Sequence, residues 1–258
     1  MRILVCVKDV PAPVAGIRID SAATWINMDK SYPFMLNRFD EFAIEEALLI
    51  KKKFPETVVE AITVGPERSA LALRRTIGMG AGKGIHILVE HGGYISPFVI
   101  ASMMASYAWD KGYGLILTGI MSEDHMHGQV GPVLAELLSW PCATSVVYER
   151  IQKCQSKVYV EREIEGGYRD CLDLALPAVL SIQTGINRPR YPSLSNVLRA
   201  KKALLETIRA DTLQPPDSQE HLIELTYPQK SRAGKVLQGT PKEKAFQLFT
   251  ILSEKAFI

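Results

Sequence analysis

Four short, mainly apolar runs, at residues 3–7, 58–64, 84–89 and 115–118, the first of them unbroken, set the strongest limit on what this chain can fold into. Runs of that length without polar alternation suit strands buried on both faces, which occur in parallel sheets covered by helices. Helical patterns separate them. Residues 37–50 carry an apolar face of Phe39, Ala43, Ala47 and Ile50 behind Asn37 as N-cap, and residues 67–79 and 96–109 supply the next two helices. Glu41, Glu45 and Glu46 are expected on the solvated flanks of the first of these. Strand–helix units repeated in this way wind into a doubly wound, mainly parallel α/β sheet, because parallel neighbours need a right-handed crossover.

The fourth run leads into GIMSEDHMHGQVGPVLAELLSWP at residues 119–141. Here a loop with Gly119, Ser122 and Asp124 is followed by Gly128, Gln129, Val130 and Gly131, which open a helix reaching Leu138. Such a junction turns free backbone N–H groups and the positive end of a helix toward the carboxyl edge of the sheet, where phosphate-bearing ligands settle. Gly131 would allow the backbone to approach a ligand closely. An ordinary strand–loop–helix connection fits the same residues, since one glycine-rich turn is a weak signal. The same edge gathers Cys6, Val7 and Lys8 from the first strand and Val64, Gly65 and Pro66 from the second, with Asn37, Phe39 and Asp40 nearby. Residues 78–84, GMGAGKG, match neither GxGxxG nor GxxxxGK[ST] and follow a helix, so they read as a helix C-terminus.

After residue 141 the texture changes. Residues 143–148, 157–163, 167–174 and 178–182 are short runs divided by polar turns, expected as antiparallel hairpin strands that extend the sheet. In residues 187–202, NRPRYPSLSNVLRAKK, two prolines delay a basic helix that Ser193 or Ser195 can cap. An extended polar arm at 215–239 and an amphipathic helix at 241–255 follow. The expected organisation is a nucleotide-binding domain at 1–210 and a C-terminal arm at 211–258.

The 258 residues, 47% of them hydrophobic, can bury a sizeable core, and a net charge of +2 gives no global footprint for nucleic acid. Four cysteines without a CxxC pair read as reduced thiols. No run is long enough to span a bilayer, and MRILVCVKDV reads as a charged strand, so the expected location is cytoplasmic, or the mitochondrial matrix in a eukaryote. HExxH and GxSxG do not occur, and His125 and His127 have no further ligands in evident reach. Neither a catalytic residue nor a metal site is expected, and a binding or carrier role is favoured over catalysis.

The collinear blocks VCVKDVP (5–11), LNRFDEFAIEEAL (36–48), ITVGP (62–66), residues 119–141 and NRPRYPSLSNVLRAKK resemble the beta, or small, subunit of electron transfer flavoprotein. Arg232, Ala233 and Gly234 before the terminal helix also resemble that family's C-terminal arm. The resemblance implies a Rossmann-like, adenine-nucleotide alpha-hydrolase-like fold and a heterodimer with an alpha subunit that holds the redox-active FAD. It implies electrons received from flavoprotein dehydrogenases, such as the acyl-CoA dehydrogenases of fatty acid oxidation, and passed to a quinone-linked or other oxidoreductase acceptor. It places a structural AMP at Cys6, Asn37 to Asp40, Val64 to Pro66 and Gly119 to Gly131. Members with AMP often carry Asn and Thr at the positions of Gly128 and Val130; Gly-Gln-Val-Gly-Pro is closer to members holding a second, bifurcating FAD. The segment with Tyr191, Leu194, Ser195, Arg199, Lys201 and Lys202 matches the family's partner-recognition loop, with Leu194 as its apolar anchor. Rival readings are an ATP-pyrophosphatase enzyme, an NAD-dependent oxidoreductase and a stress-type ATP-binding module. The first two would want a glycine-rich loop where Lys8, Asp9, Val10 and Pro11 stand.

Overall fold

In a computed structural model of the chain, the first apolar run becomes β1 (Arg2–Cys6), an interior strand of a nine-stranded sheet. The described residues are all but 14–16, 28–31, 91, 153–155, 229–233 and 256–258. Cys154, Arg232 and Ala233 therefore lie outside them. Two units can be distinguished, Met1–Leu225 and Thr226–Ile258.

In the first unit, a small antiparallel pair, β2 (Asp9–Pro11) and β3 (Phe34–Leu36), precedes α1 (Arg38–Lys53). Then come β4 (Val58–Gly65), α2 (Ala70–Met79), β5 (Lys83–Leu88), α3 (Pro97–Ala108), β6 (Leu115–Gly119) and α4 (Val130–Leu138). The chain continues through β7 (Cys142–Ile151), β8 (Lys157–Glu163), β9 (Arg169–Ala175), β10 (Ala178–Ile182), α5 (Leu194–Lys201) and β11 (Glu206–Arg209). The strand order is β11-β5-β4-β1-β6-β10-β7-β8-β9. From β11 to β7 all neighbours are parallel, and β7, β8 and β9 form an antiparallel meander.

The alternation of side chains along β1 divides the core. Ile3 and Val5 pack with Ile44 of α1 and Leu73 of α2, whereas Leu4 packs with Met103 of α3 and Leu134 of α4. The sheet is thus covered on both faces, as the mainly apolar strands require.

Three sequence expectations need correction. Residues 178–182 are not a hairpin strand. They form β10, parallel to both β6 and β7, and all five residues are buried; a run with no polar alternation belongs inside the sheet. Glu45 and Glu46 are not solvated either, with exposures of only 4% and 5%, because residues of the segment before α5 fold over them. Residues 9–36 and 206–209 contribute strands that were not expected, since three- and four-residue strands carry too little pattern to read. The glycine-rich C-terminus at 78–84 is present: α2 ends at Gly80, whose φ of 135° favours glycine.

In the second unit, α6 (Pro241–Glu254) starts with a capping box between Thr240 and Glu243, and Phe246 and Phe249 are exposed on it.

After β1 the chain builds β4 and β5 on one side and then crosses to β6 on the other. A crevice therefore opens between the carboxyl ends of β1 and β6, the position where ligands bind in sheets of this type. Above it, the first turn of α4 comes very close to the sheet. A Cβ on Gly131 would stand 2.5 Å from Ser181 Oγ and 2.9 Å from Thr118 Oγ1, two hydroxyls that share a hydrogen bond. The glycine thus serves helix–sheet contact, a requirement that holds independently of any ligand. Gly131→Val should lower the unfolding free energy by about 1–3 kcal/mol through overpacking, read from urea denaturation; unchanged stability would show that α4 can move away at no cost.

Candidate functional site

The crevice is a cleft with one wall made by Cys6, Val7 and Lys8 at the end of β1 and by Thr118 and Gly119 at the end of β6. Asn37 and Asp40 close its base, while Val64, Ile95, Ile100 and Met104 supply apolar surface from β4 and the α3 region. Met121, Ser122, His125, His127 and Gly128 form the loop side, and Val130 and Gly131 the first turn of α4.

Asp40 holds these parts together. Its Oδ2 accepts from the Lys8 N–H at 2.8 Å and its Oδ1 from the Gly119 N–H at 3.2 Å, so one carboxyl ties the first turn of α1 to the ends of β1 and β6. Gly119 must be glycine for this to happen, because a Cβ there would run into the Asp40 carboxyl and stand 2.8 Å from Phe39. Burial pushes the Asp40 carboxyl up to about 7 against the pull of both N–H donors, the Asn37 side chain and Lys8.

Asn37 behaves differently from its expected capping role. Its side chain makes no capping bond to a backbone N–H of its own helix. Instead Nδ2 donates to Met121 O at 2.9 Å and Oδ1 accepts from the Glu123 N–H at 3.2 Å. The returning loop does the capping: Glu123 accepts from the Arg38 N–H at 3.0 Å and from its guanidinium at 2.5 Å. A negative carboxylate at a helix N-terminus is favourable for the same reason as a local cap.

Lys8 is the one lysine or arginine among the cleft-lining residues. Its Nζ pairs with Asp124 at 2.7 Å and lies 3.4 Å from His125 Nδ1. Burial would raise the Asp124 carboxyl, but Lys8, His125 and the Ser122 hydroxyl together hold it below the usual carboxylate range. Burial, with Lys8 adding to it, pushes His125 below the ordinary imidazole value against the pull of Asp124. The His125 ring packs edge-on to Trp25 and Tyr94 at 5.8 and 5.5 Å and 5.5 Å from His127. Among the described residues no group of three or more His, Cys, Asp or Glu could hold a metal ion. Burial, with Asp40 adding to it, also raises the Cys6 thiol well above its ordinary value, which keeps it protonated and inert as a nucleophile.

The mouth of the cleft has the properties of an anion site. Gln129, the N-cap residue of α4, makes no side-chain cap bond, and Pro132 brings no N–H. The N–H groups of Val130 and Gly131, in the first turn, have no partner within the helix. Together with Lys8 they can take a phosphate, while the apolar surface opposite can take a planar ring.

Of the sequence-derived site residues, Cys6, Asn37, Asp40, Val64 and Gly119 meet in this cleft, as do Ser122, Gly128, Val130 and Gly131. Phe39, Gly65, Pro66, Asp124 and Gln129 do not line it. Phe39 packs behind Gly119, Gly65 O faces His86 Nε2 at 2.9 Å, Pro66 begins the turn into α2, and Asp124 is turned to Lys8. Ile95, Ile100, Met104 and Thr118 line the cleft without having been expected. Their side chains give no signal in the sequence beyond that of core residues.

The electron transfer flavoprotein domain model matches residues 24–213. The chain is 36% identical over 242 residues to the electron transfer flavoprotein subunit beta of Bacillus subtilis (strain 168), covering 92% of this chain and 89% of that one. This chain belongs to the electron transfer flavoprotein family, on its beta-subunit side. The mitochondrial subunit beta of Oryza sativa subsp. japonica is 33% identical over 93% of this chain and 94% of its own. The Sus scrofa subunit beta is 35% identical over 83% of each. Members of the family's beta branch are electron-transfer proteins, and among the described residues no helix is long and apolar enough to cross a membrane.

In this family member the second sequence-derived site, on α5 and the turn before it, presents its named residues at the surface while Ala200 of α5 is buried. Tyr191 and Leu194 are 88% and 76% exposed, and Ser195, Arg199, Lys201 and Lys202 are exposed as well. Ser193, not Ser195, is the N-cap, accepting from the Asn196 N–H at 3.3 Å.

The carboxyl of Asp40 makes stability depend on pH. With an ordinary value near 3.8 when unfolded and about 7 when folded, its contribution is fully present below the unfolded value and is lost as pH rises through the folded one. Unfolding free energy should therefore fall between about pH 4 and 7, and Asp40→Asn should flatten part of that slope. The amide has one acceptor oxygen for two N–H donors, so the variant should also lose about 1–3 kcal/mol at acidic pH. Denaturant titrations at several pH values measure both effects; a slope identical to that of the parent would assign the titration elsewhere.

Proposed function

We propose that this chain is the small subunit of a heterodimeric electron transfer flavoprotein and that its cleft holds an adenine nucleotide. The observation that carries the reading is the bare first turn of α4 beside Lys8, at the switch point between β1 and β6, in a chain of this family. Val130 and Gly131 N–H groups and Lys8 would hold the phosphate, Ser122 would face the ribose, and Ile100 and Met104 would border the base. AMP and the adenylate half of FAD make the same demands here. Gly128 does not decide between them, since a Cβ there would stand 2.7 Å from Ile120 O, and the loop needs glycine whatever the ligand.

In this reading an alpha subunit carries the redox-active FAD, which accepts and releases the electrons, and this chain stabilises and presents it. Residues 211–258, with Phe246 and Phe249 exposed on α6, form an arm that packs on that subunit. Electrons come from flavoprotein dehydrogenases, such as acyl-CoA dehydrogenases, and leave to a quinone-linked or other oxidoreductase acceptor. The compartment is the cytoplasm, or the mitochondrial matrix in a eukaryote. Leu194, exposed at the start of α5, is the apolar anchor for the dehydrogenase, and Arg199, Lys201 and Lys202 on the same segment would steer an acidic partner surface, because a single desolvated side chain with a polar rim suits a brief encounter.

Mass spectrometry of cofactors released by acid from the purified heterodimer tests the site. One FAD with one AMP supports a carrier, two FAD a bifurcating form, and neither AMP nor a second FAD would sink the nucleotide reading. Leu194→Ala should weaken electron transfer from the dehydrogenase about ten- to a hundredfold with cofactor content unchanged. Parental kinetics in that variant would remove Leu194 from the interface.

A further inference from the structure

The segment that leads to Leu194 has no regular structure of its own. Between the end of β10 and the start of α5 it runs through Gly185, Pro189 and Pro192, yet α1 holds it by directional bonds. Glu45 accepts from the Arg190 guanidinium twice, from Nε at 2.7 Å and Nη2 at 2.8 Å, and from the Arg190 N–H at 3.1 Å. One residue on, Glu46 accepts from Asn187 Nδ2 at 2.8 Å, which also donates to Phe42 O at 2.9 Å. One turn before Glu45, Glu41 pairs with Arg75, whose guanidinium lies 5.7 Å from the Tyr191 ring centroid. At the other end of α5, Arg74 Nη1 donates to the carbonyls of Ala200, Lys201 and Ala203 at 2.7–3.0 Å. The helix is therefore mounted at both ends, and its outer residues remain exposed.

Two adjacent carboxyls buried on one helix are costly, and apolar side chains of similar volume would hold a loop against α1 at least as well. Charged forks fix direction as well as distance. Arg190 stands four residues before Leu194, with Pro192 between them limiting the backbone, so the orientation of its guanidinium is passed on to the anchor. Glu46 also shares a hydrogen bond with Glu149 of β7, to which Lys53 reaches at 3.3 Å, so the inner end of the mount is a close set of polar groups and not an apolar contact.

We propose that Glu45, through its bidentate bond to Arg190, and Glu46, through Asn187, are positioning residues that hold Leu194 in the orientation in which a flavoprotein dehydrogenase meets it. This rests on the reading of residues 191–202 as the partner contact. Neither carboxyl touches cofactor or partner; both act through the segment they hold.

The test uses the heterodimer, with Glu45→Gln and, should that variant not fold, Arg190→Lys, which keeps the charge but loses the fork. An acyl-CoA dehydrogenase is the probe. Amide hydrogen exchange at 191–200 should speed up about tenfold or more, with the amides of β1 and β6 unchanged. KM for the dehydrogenase should rise about three- to tenfold while kcat and flavin content stay parental. In a Leu194→Ala background the same substitutions should add almost nothing, because they act through that side chain. Parental exchange and KM, or full additivity with Leu194→Ala, would overturn the positioning role. A Leu194→Ala protein with parental kinetics, or a parent that the dehydrogenase cannot reduce, would overturn instead the partner reading on which it rests.

Discussion

The two N–H bonds that Asp40 accepts are the constraint on which the site depends. β1 and β6 are neighbours in the sheet as far as Val5 and Leu117, and beyond that pair each strand bonds to its other neighbour, Val7 N–H to Ile62 O of β4 and Ile120 N–H to Ile182 O of β10. A buried carboxyl at the start of α1 draws both back and sets the width of the crevice. It also commits α1 to one height along the sheet, which places Asn37 where it can hold the 121–123 loop. The loop in turn supplies Glu123 as the cap of α1. The helix start and the loop each supply the other's missing hydrogen bonds, so neither is stable in this form alone.

Close backbone approach is the second device. At Gly119, Gly128 and Gly131 a Cβ would meet Phe39, Ile120 O or the Thr118 and Ser181 hydroxyls at 2.5–2.9 Å. These contacts bring loop and helix down onto the strand ends, leaving the first turn of α4 unobstructed above Lys8. A motif that looks shaped by its ligand is shaped in the first place by its own protein. The consequence for reading such sequences is that a glycine pattern at the junction reports on packing before it reports on phosphate.

Polar groups are spent very unevenly over the molecule. Most ion pairs lie on the surface, where each contributes little. The most deeply buried exceptions are Glu60 of β4, paired with Arg2, Asp40 at the cleft, and Glu45, Glu46 and Glu149 beneath the segment leading to α5, all at most 5% exposed. Asp40 and the pair Glu45 and Glu46 hold irregular backbone in a defined place, one near the proposed nucleotide, the other near the proposed partner contact. Apolar packing alone positions helices and strands well, but loops without periodic side chains need directional bonds.

How much of this was legible in the residues follows from the range of each interaction. The apolar runs, the alternation with helices, the helix end at Gly80 and the capping serine before α5 are local, so composition and spacing suffice to place them, and with them the parallel sheet and the strand ends that meet in the cleft. Residues 178–182 went to the wrong part of the sheet because strand neighbours are chosen by tertiary contact, and the same five residues suit an edge or a centre until their partners are known. Glu45 and Glu46 looked like solvent-facing carboxylates because their partners, Arg190 and Asn187, are more than 140 residues away in the chain. Asn37 looked like a local cap for the same reason. By itself, then, the sequence determined the fold class, the family and most of the chain segments that line the cleft, since these depend on periodicity and ordered motifs; only the tertiary structure decided which polar side chains are buried and what they hold, because a hydrogen bond is satisfied by whichever group the folded chain brings within about 3 Å.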